Sequence, residues 1–296
     1  MRRVLVLGGT QYFGKKLVLK LIENGDEVTI ATRGSKSDHF GDKVKRLVVD
    51  REKKETMAAA FGDQDWDLVY DQSCFSPIEA RDTAEALNGK VGRYIFTSTQ
   101  AVYEFGTLHA EGNFDPYTYQ IKYKTRKEYP GYEGYKEAKR ASEAVFHQLG
   151  YFDVVSVRFP IVVSEDDYTE RLKFHVDKIL AGQPIGIQDP ELRYSFIHAD
   201  EAASFLLEIG NSDFEGPINP GSAGDISLQE LVGKIALLAN KEAVVENSNT
   251  SGTVSPYALP GSWSIDTSLA EGLGYTFTDL NHLLDQLIKY YIQQND

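Results

Sequence analysis

The sequence predicts an α/β protein, a doubly wound parallel sheet followed by a smaller mixed α/β domain. Three observations carry that prediction. Short apolar runs alternate with helical patterns through the first half of the 296 residues, as repeated βαβ units do. A glycine-rich turn, Gly8 to Gly14, stands at the first strand-to-helix junction. After Pro160 the regularity drops, and shorter elements are separated by loop-forming segments such as 182–190 and 216–224.

Residues 4–7 are an apolar run that ends on glycine, which reads as a buried first strand. A helix follows at 13–24, with Gly25 placed as its C-terminal stop. Further strands are expected at 28–31, 46–49, 67–70 and 94–97, with helices at 53–61 and 78–87. A long helix at 135–149 leads to a sixth strand at 154–158. Residues 1–160 are therefore expected to form one domain, to which a strand and helix in 191–210 return, while 161–190 and 211–296 form the second. The final helix, 280–293, has a leucine and aromatic face suited to packing on that second domain. Tyrosines and lysines crowd into 117–129, which reads as a solvated loop or as a flap over a ligand.

The 42% hydrophobic and 25% charged residues fit a globular chain with a sizeable core. With 44 acidic against 31 basic residues the net charge is −13, which repels phosphate backbones and anionic lipid and so disfavours nucleic acid or membrane as the main partner. A single cysteine, Cys74, has no internal disulfide partner, and the amino terminus runs straight into a strand and turn rather than a signal peptide. No run approaches the roughly 18 apolar residues of a membrane span, so a cytoplasmic protein is expected. The six histidines show no i, i+3 or i, i+4 pair, and no metal site is expected. Cys74 reads as a small buried hydrophobe and His198 as a packed structural residue.

Gly8-Gly9-Thr10-Gln11-Tyr12-Phe13-Gly14 would aim free backbone amides and a positive helix end at a phosphate. Gly9 to Lys16 almost spells a P-loop, but Lys16 stands where the Mg²⁺-binding hydroxyl belongs. A dinucleotide turn is the better reading, although Gln11 replaces the middle glycine. After the second strand, where an NAD enzyme places an acid, the chain has Arg33 and Lys36. Beside a ribose these would attract a 2′-phosphate, which favours NADP over NAD; otherwise they are surface charges. Asp50 and Arg51 end the third strand, where adenine would lie, and Asp50 either accepts from the adenine amino group or caps the next helix.

YxxxK occurs twice, as Tyr132 with Lys136 and as Tyr135 with Lys139, and residues four apart share a helix face. An ammonium near a phenol lowers its pKa and suits it to proton transfer. Upstream, Thr97-Ser98-Thr99 end a strand and are followed by Val102-Tyr103. With the run Tyr135, Lys139 and Glu143, the chain resembles the extended short-chain dehydrogenase/reductase family of nucleotide-sugar epimerases and dehydratases, whose fold is the Rossmann type. The likeness continues in Arg158-Phe159-Pro160, in 196–203 and in 218–231, while GGTxxxG is closer to an atypical branch that includes the chloroplast stem-loop RNA-binding proteins.

The resemblance implies NADP or NAD on Gly8 to Gly14, Arg33, Lys36, Asp50, Arg51, Thr97, Tyr135 and Lys139. It implies catalysis by Tyr135 as proton carrier, Lys139 as its electrostatic partner and Thr99 as a hydrogen-bond donor to the substrate oxygen. Tyr103, Arg158, Arg171 and Arg193 would face a small-molecule substrate such as a nucleotide sugar, held by the second domain, with one or more of the arginines on a diphosphate or else at the surface, and a homodimer through the YxxxK helix is implied. A catalytically silent dinucleotide sensor and an RNA-binding protein are the alternative readings.

Overall fold

The computed structural model describes all residues of 1–296 except Lys36, Asp63, Asn249, Ser251 and Asp296. Its elements in chain order are β1 (Arg3–Leu7), α1 (Tyr12–Glu23), β2 (Glu27–Thr32), β3 (Lys45–Val48), α2 (Lys54–Phe61), β4 (Trp66–Asp71), α3 (Pro77–Leu87), β5 (Val91–Thr99), β6 (Gly106–His109), α4 (Gly131–Leu149), β7 (Asp153–Phe159) and β8 (Ile161–Val163). There follow α5 (Arg171–Leu180), β9 (Pro184–Gly186), β10 (Arg193–Tyr194), β11 (Phe196–His198), α6 (Ala199–Gly210), β12 (Gly216–Ile218), β13 (Ile226–Ser227), α7 (Leu228–Ala239), β14 (Val244–Glu246), β15 (Trp263–Ile265), α8 (Ser268–Gly272) and α9 (Leu280–Gln293).

The chain forms two units. The first comprises 1–103, 111–159 and 200–219. Its seven-stranded sheet has the order β12-β7-β5-β4-β1-β2-β3 with every neighbour parallel. Strands covered on both faces need apolar residues at successive positions, and Val4 to Leu7 and Tyr94 to Phe96 are all buried. Tyr94 lies between the rings of Phe146 on α4 and Phe152, at 4.7 and 4.8 Å. β1 lies between β4 and β2, so the strand order reverses there, and the carboxyl ends of β1 and β4 flank a topological switch point.

The second unit comprises 104–110, 160–199 and 220–296. It holds a mixed sheet of order β13-β10-β15-β6 and the pairs β11-β8 and β14-β9. α7 is started by a reciprocal cap, in which Ser227 accepts from Glu230 N and the Glu230 carboxylate accepts from Ser227 N. α5, α7 and α9 pack on one another, and α9 buries Leu283, Leu284, Leu287 and Ile288.

The fold is the doubly wound α/β class with a smaller mixed unit. The division differs from the sequence-based one in its details. β10 and β11 belong to sheets of the second unit, whereas β12 completes the large sheet by pairing with β7, and β6 joins the second unit through β15. α4 also begins at Gly131 instead of residue 135, because Gly131 and Gly134 hide the helical periodicity. Gly134 is required there: a Cβ would stand 2.4 Å from the carbonyl carbon of Tyr129.

Candidate active site

The site assembles at the carboxyl ends of β1, β4 and β5 in the first unit. The turn after β1 is left-handed at Gly8 (φ +95°) and Gly9 (φ +74°). Gly9 is packed so closely that a Cβ would meet Val6 Cγ1 at 2.6 Å, and a Cβ on Gly14 would lie 3.2 Å from Gly9 Cα. α1 starts without a side-chain cap and without an acidic residue in its first turn, so no carboxylate of that turn competes for an anion. The Gln11 residue at its N-cap is extended and exposed, and Tyr12 adopts a left-handed φ of 51°. Thr10 and Phe13 are half-buried in the same turn.

Lys139 on α4 is buried and donates to the backbone carbonyls of Thr97 at 2.8 Å and Cys74 at 3.1 Å, bridging the carboxyl ends of β5 and β4. Burial lowers its pKa from the ordinary lysine value. The same ammonium lies 4.2 Å from the centre of the Phe96 ring, so two carbonyls and an aromatic face hold it in place. Tyr135, one helical turn earlier, is half-buried with its ring 5.9 Å from that of Phe75. The other pair differs: Lys136 is buried with its ammonium 3.3 Å from Glu133. Thr99 Oγ accepts from Ala101 N at 3.2 Å, and Thr97 Oγ accepts from Gln72 Nε2 at 2.7 Å.

Gln72 is a site residue that sequence reasoning missed. It follows β4, its Oε1 is buried with no hydrogen-bond partner, and that atom is 3.5 Å from where a Gly14 Cβ would stand. A lone glutamine carries no motif; its place at the end of a strand beside the switch point was the only available signal.

Other expected residues are placed differently. Arg51 binds Asp71 through both terminal nitrogens and also reaches Thr83 at 2.8 Å and Ser73 at 3.2 Å, and so holds the loop after β4. Asp50 accepts from Glu52 N, and its carboxylate is 3.6 Å from Lys53. Arg33 is exposed just after β2, and Lys36 lies outside the described residues. Tyr103 and Arg158 are corrected from substrate-facing to internal. Both are fully buried and bonded to each other, and side chains without exposed surface present nothing to a ligand. Arg193 pairs with Asp225 and Glu230, and Arg171 donates to Thr169 with its guanidinium 5.7 Å from the Tyr257 ring centre.

The tyrosine- and lysine-rich segment is a strap fixed along α3 and α4. Gln148 donates to the carbonyls of Pro116 and Tyr119 at 2.9 Å, Tyr119 donates to Glu137 at 2.5 Å, and Arg126 pairs with Glu79 at 2.8 Å. Between strap and helix runs a groove of about 620 Å³ lined by Tyr119, Lys122, Lys124, Tyr129 and Glu133 among others. Among the described residues no helix is long and apolar enough to cross a membrane.

Comparisons with known proteins bear on this arrangement. The profile of the NAD dependent epimerase/dehydratase family matches residues 4–219. A curated relative is the chloroplast stem-loop binding protein of 41 kDa b from Arabidopsis thaliana, 24% identical over 225 residues that cover 71% of this chain and 56% of that protein. The chain thus spans about half the length of the curated relative it matches. Among solved structures, UDP-glucose 4-epimerase of Thermus thermophilus in complex with NAD superposes with a TM-score of 0.70 at 20% identity, covering 98% of both chains. UDP-glucuronic acid 4-epimerase of Bacillus cereus, in complex with UDP-glucuronic acid and NAD, has a TM-score of 0.73 at 16% identity, covering 99% of this chain and 100% of that one. Identities of this size mark a shared fold.

Proposed function

Because the chain belongs to the NAD dependent epimerase/dehydratase family, we propose that it is a dinucleotide-dependent oxidoreductase, epimerase or dehydratase acting on a small hydroxyl or carbonyl compound such as a nucleotide sugar. The observation that carries this reading is Lys139, whose buried ammonium is held at the carboxyl ends of β4 and β5, a turn away from Tyr135. The uncapped α1 and the crowded Gly9 fit a pyrophosphate, for which Gly8 to Gly14 would supply backbone amides. Arg33 would bind a 2′-phosphate, which makes NADP the favoured cofactor.

The dinucleotide, when bound, supplies the hydride acceptor and donor. Tyr135 carries the proton of the substrate hydroxyl, Lys139 lowers the phenol pKa and binds the ribose, and Thr99 donates to the substrate oxygen. Proton transfer of this kind is worth about 10²- to 10⁴-fold, so Tyr135→Phe should lose at least about 10²-fold in kcat with dinucleotide affinity unchanged, whereas Tyr132→Phe should keep activity. The first test is calorimetric titration of cofactor-stripped protein with NADP⁺ and NAD⁺. A preference for NADP⁺ of about tenfold is expected, corresponding to roughly 1.4 kcal/mol. A preference for NAD⁺ would remove Arg33 from the site, and binding of neither would remove the enzyme reading.

A second reading, stem-loop RNA binding, is favoured by the name of the curated relative and by the aromatic and basic strap. The net charge of −13 opposes it. A gel-shift titration with a hairpin RNA at low salt is expected to show no complex, and a salt-sensitive complex there would favour this reading over the first.

A further inference from the structure

Arg158 and Glu143 form an ion pair in which both side chains have zero exposure. Removing two charges from water costs more than packing apolar residues of the same volume, so such a pair is a poor way to gain stability alone. This one is completely satisfied. Arg158 Nε donates to Glu143 Oε1 at 3.0 Å, one Nη donates to the Tyr103 hydroxyl at 2.9 Å and the Glu111 carbonyl at 2.7 Å, and the other donates to the Phe114 carbonyl at 3.0 Å and to Glu143 Oε1. All five guanidinium N–H groups are engaged. The second carboxylate oxygen, Glu143 Oε2, accepts from the Ser98 hydroxyl at 2.6 Å.

The geometry has a direction. Tyr135, Lys139 and Glu143 are successive i, i+4 positions on one face of α4. Lys139 grips the Thr97 carbonyl, and one turn later Glu143 grips Ser98, so two turns of helix hold two adjacent residues of β5. Thr99, the next residue, carries the hydroxyl assigned to the substrate. We propose that the Arg158–Glu143–Ser98 chain is a positioning device, which clamps α4 in register on β5 and thereby places Lys139 and Tyr135 against Thr97 and Thr99. The role rests on the dinucleotide reading above; slippage by one helical turn would displace Tyr135 by about 5.4 Å.

The test is a double-mutant cycle read by NADP⁺ and NAD⁺ affinity. Ser98→Ala cuts the link to β5 and leaves the ion pair whole, so it is the principal variant; Glu143→Gln, which leaves the Arg158 charge uncompensated, is compared only if its thermal melt stays cooperative. In an otherwise native chain Ser98→Ala should weaken dinucleotide binding by about tenfold, and in a Lys139→Met chain by less than about twofold, because residues acting through a common partner are not additive. Equal losses in both backgrounds, or no loss in either, would overturn the proposal. A second readout needs no cofactor: the Tyr135 phenol is titrated by ultraviolet difference against the matching Tyr135→Phe chain. Ser98→Ala should raise that titration as Lys139 moves away, and an unmoved titration overturns the clamp. If the native chain binds neither dinucleotide, the enzyme reading falls, and the phenol titration alone then decides the clamp.

Discussion

Gly9 shows how one missing carbon shapes the molecule. Its φ of +74° disfavours any side chain, and a Cβ would lie 2.6 Å from Val6 and 3.0 Å from Val18. Gly9→Ala should therefore cost about 2–4 kcal/mol in urea unfolding, from backbone strain and overpacking together. Gly233 in the middle of α7 is the control: it is exposed, and a Cβ there meets nothing within 4 Å. Gly233→Ala should gain about 0.5–1 kcal/mol, because alanine only adds helix propensity. If both changes proved neutral, the close packing of the turn would be wrong. The glycine turn was legible in the sequence because its spacing is periodic and its chemistry local. Tyr103 and Arg158 were not, because an arginine at the end of a strand reads the same whether it faces a ligand or a buried carboxylate 15 positions back in the chain. Gln72 was silent for a related reason, since it gains meaning only when the ends of β4 and β5 lie side by side.

Among elements, α4 carries the most. It is straddled by the strap, and near its end His147 is half-buried with Nε2 2.8 Å from the Ser156 hydroxyl and its ring 4.9 Å from that of Tyr117. Burial lowers the His147 imidazole to about 4, and burial likewise lowers His175 in α5, stacked on Tyr257, to about 4. Both are therefore neutral in the folded chain until pH nears 4, whereas in the unfolded chain they protonate near 6.5. Between those values the unfolded state binds more protons, so their contribution is full above about 6.5 and is lost as pH falls towards 4. The unfolding free energy should be level from about pH 7 to 8 and fall below 6.5, by at most about 3 kcal/mol for each histidine. His175→Gln should flatten that slope in part. An unchanged free energy between about pH 7 and pH 5 would contradict the burial of both rings. The helix was foreseen from its YxxxK pattern, but its first turn was not, because Gly131 and Gly134 read as loop until the strap backbone is seen against them.

For the whole molecule, charge is distributed unevenly. The second unit has seven basic and seventeen acidic residues, a net −10, whereas the first has 24 and 27, a net −3. If the substrate is an anionic nucleotide sugar, the chain's net charge of −13 repels it, so raising salt should lower its KM by screening like charges, the reverse of the usual trend for steered anions. A KM that rises with salt would argue for local cationic capture instead. Self-association is a second question at this scale. The homodimer that the resemblance implies would use α4 and its neighbour, yet Tyr119, Tyr123 and Arg126 of the strap already contact these helices. Light scattering should therefore give the mass of one chain, and a dimer would mean that the strap is displaced or another face is used. The parallel sheet was foreseeable from the βα alternation, but the chain's crossings between units were not. β12 joins β7, and β6 joins β15, through pairings more than 50 residues apart that leave no local trace in composition.

Cys74, whose carbonyl anchors Lys139, has its thiol buried and pushed up to about 12 by that burial. As the only cysteine of the chain it is a built-in clock for openings of the loop whose carbonyl holds the lysine. A thiol reagent at about pH 8 meets almost no thiolate while that loop is shut, so its labelling rate counts loop openings one at a time. A bound dinucleotide that draws on the Lys139 ammonium should slow the count, and with no substrate in hand that retardation offers a direct way to screen ligands for this chain.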